Sequence, residues 1–163
     1  MQIIDVWINN KNWQVINFYH DVQDKTALPA LLGLDINTTT PTLVIGDFNP
    51  HSPTWSPPNI PHSGWAAKVE EWVSTNLLTL ANDPGVIMRK GVEHKCDSTI
   101  DLTWYNEVAI QSATFSGLKL NWEGCLSSDH AMLYITGSPG GPPVPLEAAA
   151  PEGFLLDPER KPT

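Results

Sequence analysis

Pro41-Thr42-Leu43-Val44-Ile45-Gly46-Asp47-Phe48-Asn49 is the stretch that decides the fold. Its first half is short, apolar and β-branched without alternation, which predicts a strand covered on both faces, and it delivers Asp47 at the C-terminal end. Upstream, the β-rich runs Ile3 to Ile8 and Trp13 to Tyr19 flank the turn-forming cluster Asn9 to Asn12 and predict a hairpin. Between hairpin and strand, Leu28, Leu31 and Leu32 fall at helical spacing, with Pro29 in the first turn and Gly33 at the end. Downstream, prolines at 50, 53, 57, 58 and 61 exclude regular structure and mark a surface loop. Trp65, Val69, Trp72, Val73 and Leu77 then recur at three- and four-residue intervals, the pattern of an amphipathic helix on a sheet. Val86 to Met88, Thr99 to Trp104, Val108 to Phe115 and Met132 to Thr136 read as further strands. Strands interspersed with helices predict an α/β (α+β) layered sandwich.

A chain of 163 residues with 41% hydrophobic content accommodates one domain with a sizeable core. That domain is expected over residues 1–137, followed at 138–163 by a Pro/Gly/Ala-rich linker or disordered tail whose removal should leave stability nearly unchanged. No repeat appears. No apolar run approaches the ~20 residues of a membrane span, and the N-terminus lacks the features of a secretory signal, so the expected location is intracellular. Cys96 and Cys125 stand singly, which argues for reduced thiols and against a zinc knuckle. A net charge of −9 has the wrong sign for general attraction to nucleic acid. A nuclease survives this test, because carboxylates that recruit a divalent cation offset both their own charge and that of a phosphate.

Three motifs each put an acidic residue where a strand should end: Gly46-Asp47-Phe48-Asn49, Ser98-Thr99-Ile100-Asp101 and Ser127-Ser128-Asp129-His130. Two carboxylates, a third beside a histidine and an asparagine amide at one sheet edge suit a hard cation, a positioned water and a phosphate. Singly, each has an ordinary explanation. An Asp at a strand end is a turn residue or cap, Asp101 between Ile100 and Leu102 is a solvated strand face, and Asp129-His130 is a surface pair. Order and spacing together favour the catalytic reading.

The same motifs resemble those of the endonuclease/exonuclease/phosphatase superfamily. Gly46 to Trp55, reading Gly-Asp-Phe-Asn-Pro-His-Ser-Pro-Thr-Trp, and Ser98 to Trp104, reading Ser-Thr-Ile-Asp-Leu-Thr-Trp, are similar to the endonuclease domain of non-LTR retrotransposons, over about residues 12–137. The resemblance implies a layered β-sandwich flanked by helices and Mg²⁺- or Mn²⁺-dependent hydrolysis of a DNA phosphodiester, the nick that primes reverse transcription. It implies that Asp47 orients or deprotonates the attacking water and that Asn49 donates its amide to the phosphate. His130 contacts the scissile phosphate, Asp101 orients its imidazole, and Asp129, with Asp47, lies at the metal. Ser128 supports the turn and borders the substrate, and Tyr19 approaches the phosphate. Apart from the resemblance, loop position puts His51 and Trp55 where they can contact substrate, His20 borders the site, and His62 reads as a satisfied surface histidine. His94 reads as exposed loop.

The family pattern also includes an N-terminal half with an asparagine at the phosphate and a glutamate at the metal. Neither has a match here, and Glu70 and Glu71 read as solvated helix-face charges. The expected fold is therefore N-terminally truncated, with an incomplete metal site, an exposed sheet edge or apolar face, and dependence on an N-terminal half, self-association or a polyprotein context. The leading function is a DNA endonuclease, nuclear if it acts on genomic DNA, and weak or inactive as this chain alone. The alternative is a non-catalytic remnant or domesticated interaction module, favoured by the acidic charge. A hydrolase of small phosphoesters is the third class, and the run from His51 to Trp55 points away from it.

Overall fold

The computed structural model describes residues 1–8, 10–91, 96–125 and 128–138. The tail, His94 and Ser127 lie outside the described residues. Strands β1 (Gln2–Ile8) and β2 (Lys11–Tyr19) form the antiparallel hairpin, with Ile8 opposite Lys11 and Asn10 in the left-handed region (φ 60°). After helix α1 (Ala27–Leu32), β3 (Thr42–Asp47) pairs parallel with β2. Helix α2 (Ala66–Thr75) leads to β4 (Leu78–Leu80), and β5 (Asp101–Asn106) lies antiparallel between β3 and β4. The resulting sheet has the order β1-β2-β3-β5-β4, and β6 (Thr114–Asn121) and β7 (Met132–Ser138) form a second, two-stranded sheet.

Side-chain alternation divides the five-stranded sheet into two faces. Ile16, Val44 and Trp104 stand in register across β2, β3 and β5, and with Phe18 and Leu102 they receive Leu28 and Leu31 of α1 and Val69, Trp72 and Val73 of α2. This is the main core. The opposite face carries Asn17, Ile45 and Thr103, which look across a cleft at Leu118, Leu133 and Ile135 of the second sheet. At one end of that cleft Phe115 packs edge-on against Trp13 (6.1 Å) and stacks on Tyr105 (5.5 Å). Because the covering sheet has only two strands, Leu43 and Ile45 are half-buried, where full cover on both faces had been expected of β3.

The exposed edge anticipated from sequence is β1, where Ile3, Ile4, Val6, Trp7 and Ile8 are all exposed, Trp7 by 74%. Among the described residues no helix is long and apolar enough to cross a membrane.

Three sequence expectations need correction. Leu77 does not continue α2: it adopts φ 53° one residue past the Asn76 cap and is 70% exposed. Val86 to Met88 forms no strand, and the pairing falls one residue later, as bridges from Arg89 to Ser98 and His130. Val108 to Phe115 is mostly helix, α3 (Glu107–Ser112), before β6 begins. The cause is Asn106. Its Oδ1 accepts from the Ala109 amide (3.0 Å), a helix N-cap that outweighs the β-branched residues Val108 and Ile110.

The buried Asn106 amide also ties β5 to the loop before β3. Oδ1 accepts from the Thr42 amide (3.0 Å), and Nδ2 donates to the carbonyls of Thr40 (2.8 Å) and Asn37 (3.2 Å). Truncation strands several buried groups at once, so Asn106→Ala is expected to cost about 2–4 kcal/mol in denaturant unfolding. A cost under about 0.5 kcal/mol would contradict the network.

Candidate active site

The register of the large sheet assembles the site. On the face turned toward β6 and β7, Tyr19, Asp47 and Asp101 are direct cross-strand neighbours. Asp47 ends β3, whereas Asp101 begins β5, and the two meet because those strands run antiparallel. Asp101 is no solvated-face residue: its side chain is 13% exposed, and Oδ2 lies 2.8 Å from Nδ1 of His130, which enters just ahead of β7. An ionised carboxylate only accepts, so Nδ1–H donates and Nε2 is the free ring nitrogen. Ligand atoms of Asp47, Asp101 and His130 all lie within 4.8 Å of one another.

The turn after Asp47 is set by Asn49, in the left-handed region (φ 63°). Its backbone amide donates to Asp47 Oδ1 (3.0 Å), and its side-chain amide donates to the His20 carbonyl (2.6 Å). Asn49 thus fastens the ends of β2 and β3 together beside the carboxylates. His20 is buried, within 3.0 Å of the Phe48 carbonyl through Nδ1 and stacked on Phe18. Tyr19 is 63% exposed, which excludes a core-capping role. Ser128 Oγ accepts from the His130 amide (3.1 Å) and shapes that turn.

Asp129 stands outside the three-group cluster. Its Oδ2 accepts from Arg89 Nε (2.8 Å), and Oδ1 is 3.9 Å from His130 Nε2. Arg89 was not singled out by sequence reading, and its basic charge in an acidic chain was the only available signal.

Glu70 was read as a solvated charge, and it instead clasps the proline-rich loop. Its carboxylate accepts from Ser52 Oγ, Thr54 Oγ1 (2.7 Å) and His62 Nε2 (3.2 Å). Trp55 is not available to substrate: it is fully buried against Trp104, with Nε1 donating to the Pro50 carbonyl (3.0 Å). His51, in the same loop, lies within electrostatic reach of Arg89. Its Nδ1 is buried without a hydrogen-bond partner among the described residues, and burial, then the Arg89 charge, lowers its pKa.

Electrostatics mark the carboxylate pair. Burial, and then the adjacent Asp101, raises Asp47 from 3.8 to about 6. Burial also raises Asp101, against the opposing hydrogen bond from His130, while the Arg89 hydrogen bond holds Asp129 below the usual carboxylate range. Two like charges crowded in a half-buried cleft are what a hard divalent cation offsets, so this donor set fits Mg²⁺ or Mn²⁺.

A stability prediction follows from Asp47. Since its folded pKa exceeds the unfolded value, the metal-free native state binds the extra proton, and stability falls as pH rises from 3.8 through about 6. Asp47→Asn removes that penalty and should stabilise the protein at pH ~8 in EDTA by on the order of 1–2 kcal/mol, allowing for partial solvent screening. No gain at pH ~8 relative to pH ~4 in urea titrations would refute it.

A mixed α/β sandwich of the endonuclease/exonuclease/phosphatase type is the class this fold defines. Two solved structures share it. The endonuclease domain of TRAS1, a telomere-specific non-LTR retrotransposon, is similar with TM-score 0.67 at 15% identity, over 85% of this chain and 64% of that one. An endonuclease/exonuclease/phosphatase family protein from Leptotrichia buccalis C-1013-b gives TM-score 0.53 at 15% identity, over 83% and 53%. The chain thus spans less than two thirds of either structure. No curated protein sequence matches. The chain belongs to the endonuclease-reverse transcriptase family, whose model matches residues 13–134.

Proposed function

We propose that this chain carries catalytic groups of a divalent-metal-dependent endonuclease that nicks DNA by phosphodiester hydrolysis. The observation behind this reading is the in-register row of Tyr19, Asp47 and Asp101 with His130 docked on Asp101. Asp47 and Asp101 would hold Mg²⁺ or Mn²⁺, with Asp129 joining directly or through water. The cation supplies charge neutralisation at the phosphate and lowers the cost of generating hydroxide.

The chain's own groups divide the remaining work. Asp47, beside the water that the cation would hold, accepts the proton of the attacking water. Asp101 holds the His130 ring so that Nε2–H, when the imidazole is protonated, donates to a phosphate oxygen as charge develops there. Asn49 fixes the Asp47 turn, and its Nδ2 gives one hydrogen to the His20 carbonyl and keeps the second to donate to phosphate. The exposed Tyr19 phenol is a further phosphate contact, His51 borders the substrate from the proline-rich loop, and Ser128 keeps the His130 turn in shape.

A domain of residues 1–137 with an appended tail, and action on genomic DNA in the nucleus, belong to the same proposal. Slow turnover by the 163-residue chain alone belongs to the same proposal, since no residue of the described cluster corresponds to the family's metal-binding glutamate. The exposed β1 edge favours a second reading, an interaction module without turnover.

Supercoiled-plasmid nicking in Mg²⁺ or Mn²⁺, with EDTA as control, separates the two. Metal-dependent nicking, whether by the chain alone or after an N-terminal half is supplied, supports the endonuclease. Its absence in both formats supports the module. Robust nicking by the chain alone would overturn the expectation of slow turnover.

A further inference from the structure

We propose that Arg89 is a substrate-positioning residue of this site, contacting the DNA phosphate backbone and, through Asp129, steadying the loop that presents His130. The inference rests on the endonuclease reading above. Its first support is backbone wiring. Met88, Arg89 and Lys90 form a short strap between the two loops that carry the site. The Arg89 and Ser98 backbones exchange hydrogen bonds (3.0 and 2.9 Å), three residues before Asp101. On the other side Lys90 N donates to the Asp129 carbonyl (2.8 Å), and Ala131 N donates to the Met88 carbonyl (2.7 Å), bracketing His130.

The second support is the side chain itself. Arg89 is largely buried, 21% exposed, and its Nε engages Asp129 Oδ2 at 2.8 Å. Among the described residues its two terminal nitrogens have no hydrogen-bond partner, so the planar fork retains donors suited to a phosphate. The neighbouring Lys90 is engaged over the Trp122 ring at 4.6 Å.

Charge gives the third support. Arg89 lies within electrostatic reach of Asp47, His51, Asp101 and Asp129 together. A phosphodiester anion approaching three carboxylates is repelled unless fixed positive charge meets it. A chain of net charge −9 supplies little general attraction for the phosphate. A cation locked onto Asp129 performs that task locally.

The test uses the full chain with Arg89→Ala and Arg89→Lys, each checked for a thermal midpoint close to the parent. Binding of a short duplex is followed by fluorescence anisotropy across a salt series in Ca²⁺, and Mn²⁺ affinity is measured separately without DNA. Arg89→Ala should weaken duplex binding about tenfold and reduce the log–log salt slope by ~0.9, the loss of one phosphate contact. It should also tighten Mn²⁺ binding, since a competing cation leaves the cluster. Arg89→Lys should recover the salt slope and only part of the affinity, because the planar fork is lost.

A folded Arg89→Ala chain with unchanged duplex affinity and slope overturns the phosphate contact. Weaker Mn²⁺ binding in parallel with weaker duplex binding assigns Arg89 a merely structural role and overturns the proposal. No duplex binding by the parent chain refutes the endonuclease reading, and the Arg89 contact falls with it.

Discussion

Asp47→Ala and His130→Ala are each expected to lower metal-dependent plasmid nicking by on the order of 100- to 1000-fold, the loss typical of a removed base or preorganised donor. The chemistry at the two positions differs. In the proposed mechanism Asp47 would remove a proton from water and share a cation with Asp101, so its loss would strike both nucleophile and charge compensation. His130 would act at the phosphate oxygens through Nε2, with Nδ1 engaged by Asp101 at 2.8 Å. Asp101→Asn leaves the shape of that contact and removes the charge that holds the tautomer, so its effect should be comparable. The assay is supercoiled-to-nicked conversion by whichever form of the chain is active, with every variant checked for folding. Nicking that persists within about threefold in both alanine variants would assign the activity to other residues or to a contaminant.

Gly46→Ala is expected to prevent folding or to remove more than about 4 kcal/mol of stability. Gly46 has φ 141°, a conformation that side-chain-bearing residues rarely adopt, and it lies opposite Phe18 in the parallel pairing of β2 with β3. A Cβ built there would stand 1.8 Å from the Phe18 carbonyl oxygen and 2.7 Å from its carbon. Backbone atoms cannot rotate away as the end of a side chain can. Relief requires separating the two central strands beside Asp47, against a total stability of roughly 5–15 kcal/mol. Expression followed by circular dichroism and urea titration reads the outcome, and a variant within about 1 kcal/mol of the parent would show that the strands do not approach as described.

The glycine also shows how far the sequence is legible. Gly46-Asp47-Phe48-Asn49 announces a strand that stops in a tight polar turn, because local sterics and the β-propensity of Leu43, Val44 and Ile45 act over a few residues. The hairpin, α1, most of α2, β3 and β7 were likewise legible from periodicity and turn residues. The helix at Glu107–Ser112 was not. There a single capping side chain, Asn106, outweighed the β-like pattern of Val108 and Ile110, and its three other bonds come from residues 64 to 69 positions away. The three-residue strand β4 carries too few residues for alternation to register, and it owes its pairing to β5.

By itself the sequence determined the residue types at the site, their order along the chain, the layered class of the fold and the membership of the family, all of which rest on local pattern. Tertiary structure alone decided which groups meet. Asp101 opens its strand and still reaches Asp47, because β5 runs antiparallel to β3. His130 finds Asp101 across 29 positions, Arg89 finds Asp129 across 40, and Glu70 gathers Ser52, Thr54 and His62 into a clasp. Such pairings depend on register and sheet packing, in which a shift of one residue would turn every side chain to the opposite face, and no window of neighbouring residues encodes that choice.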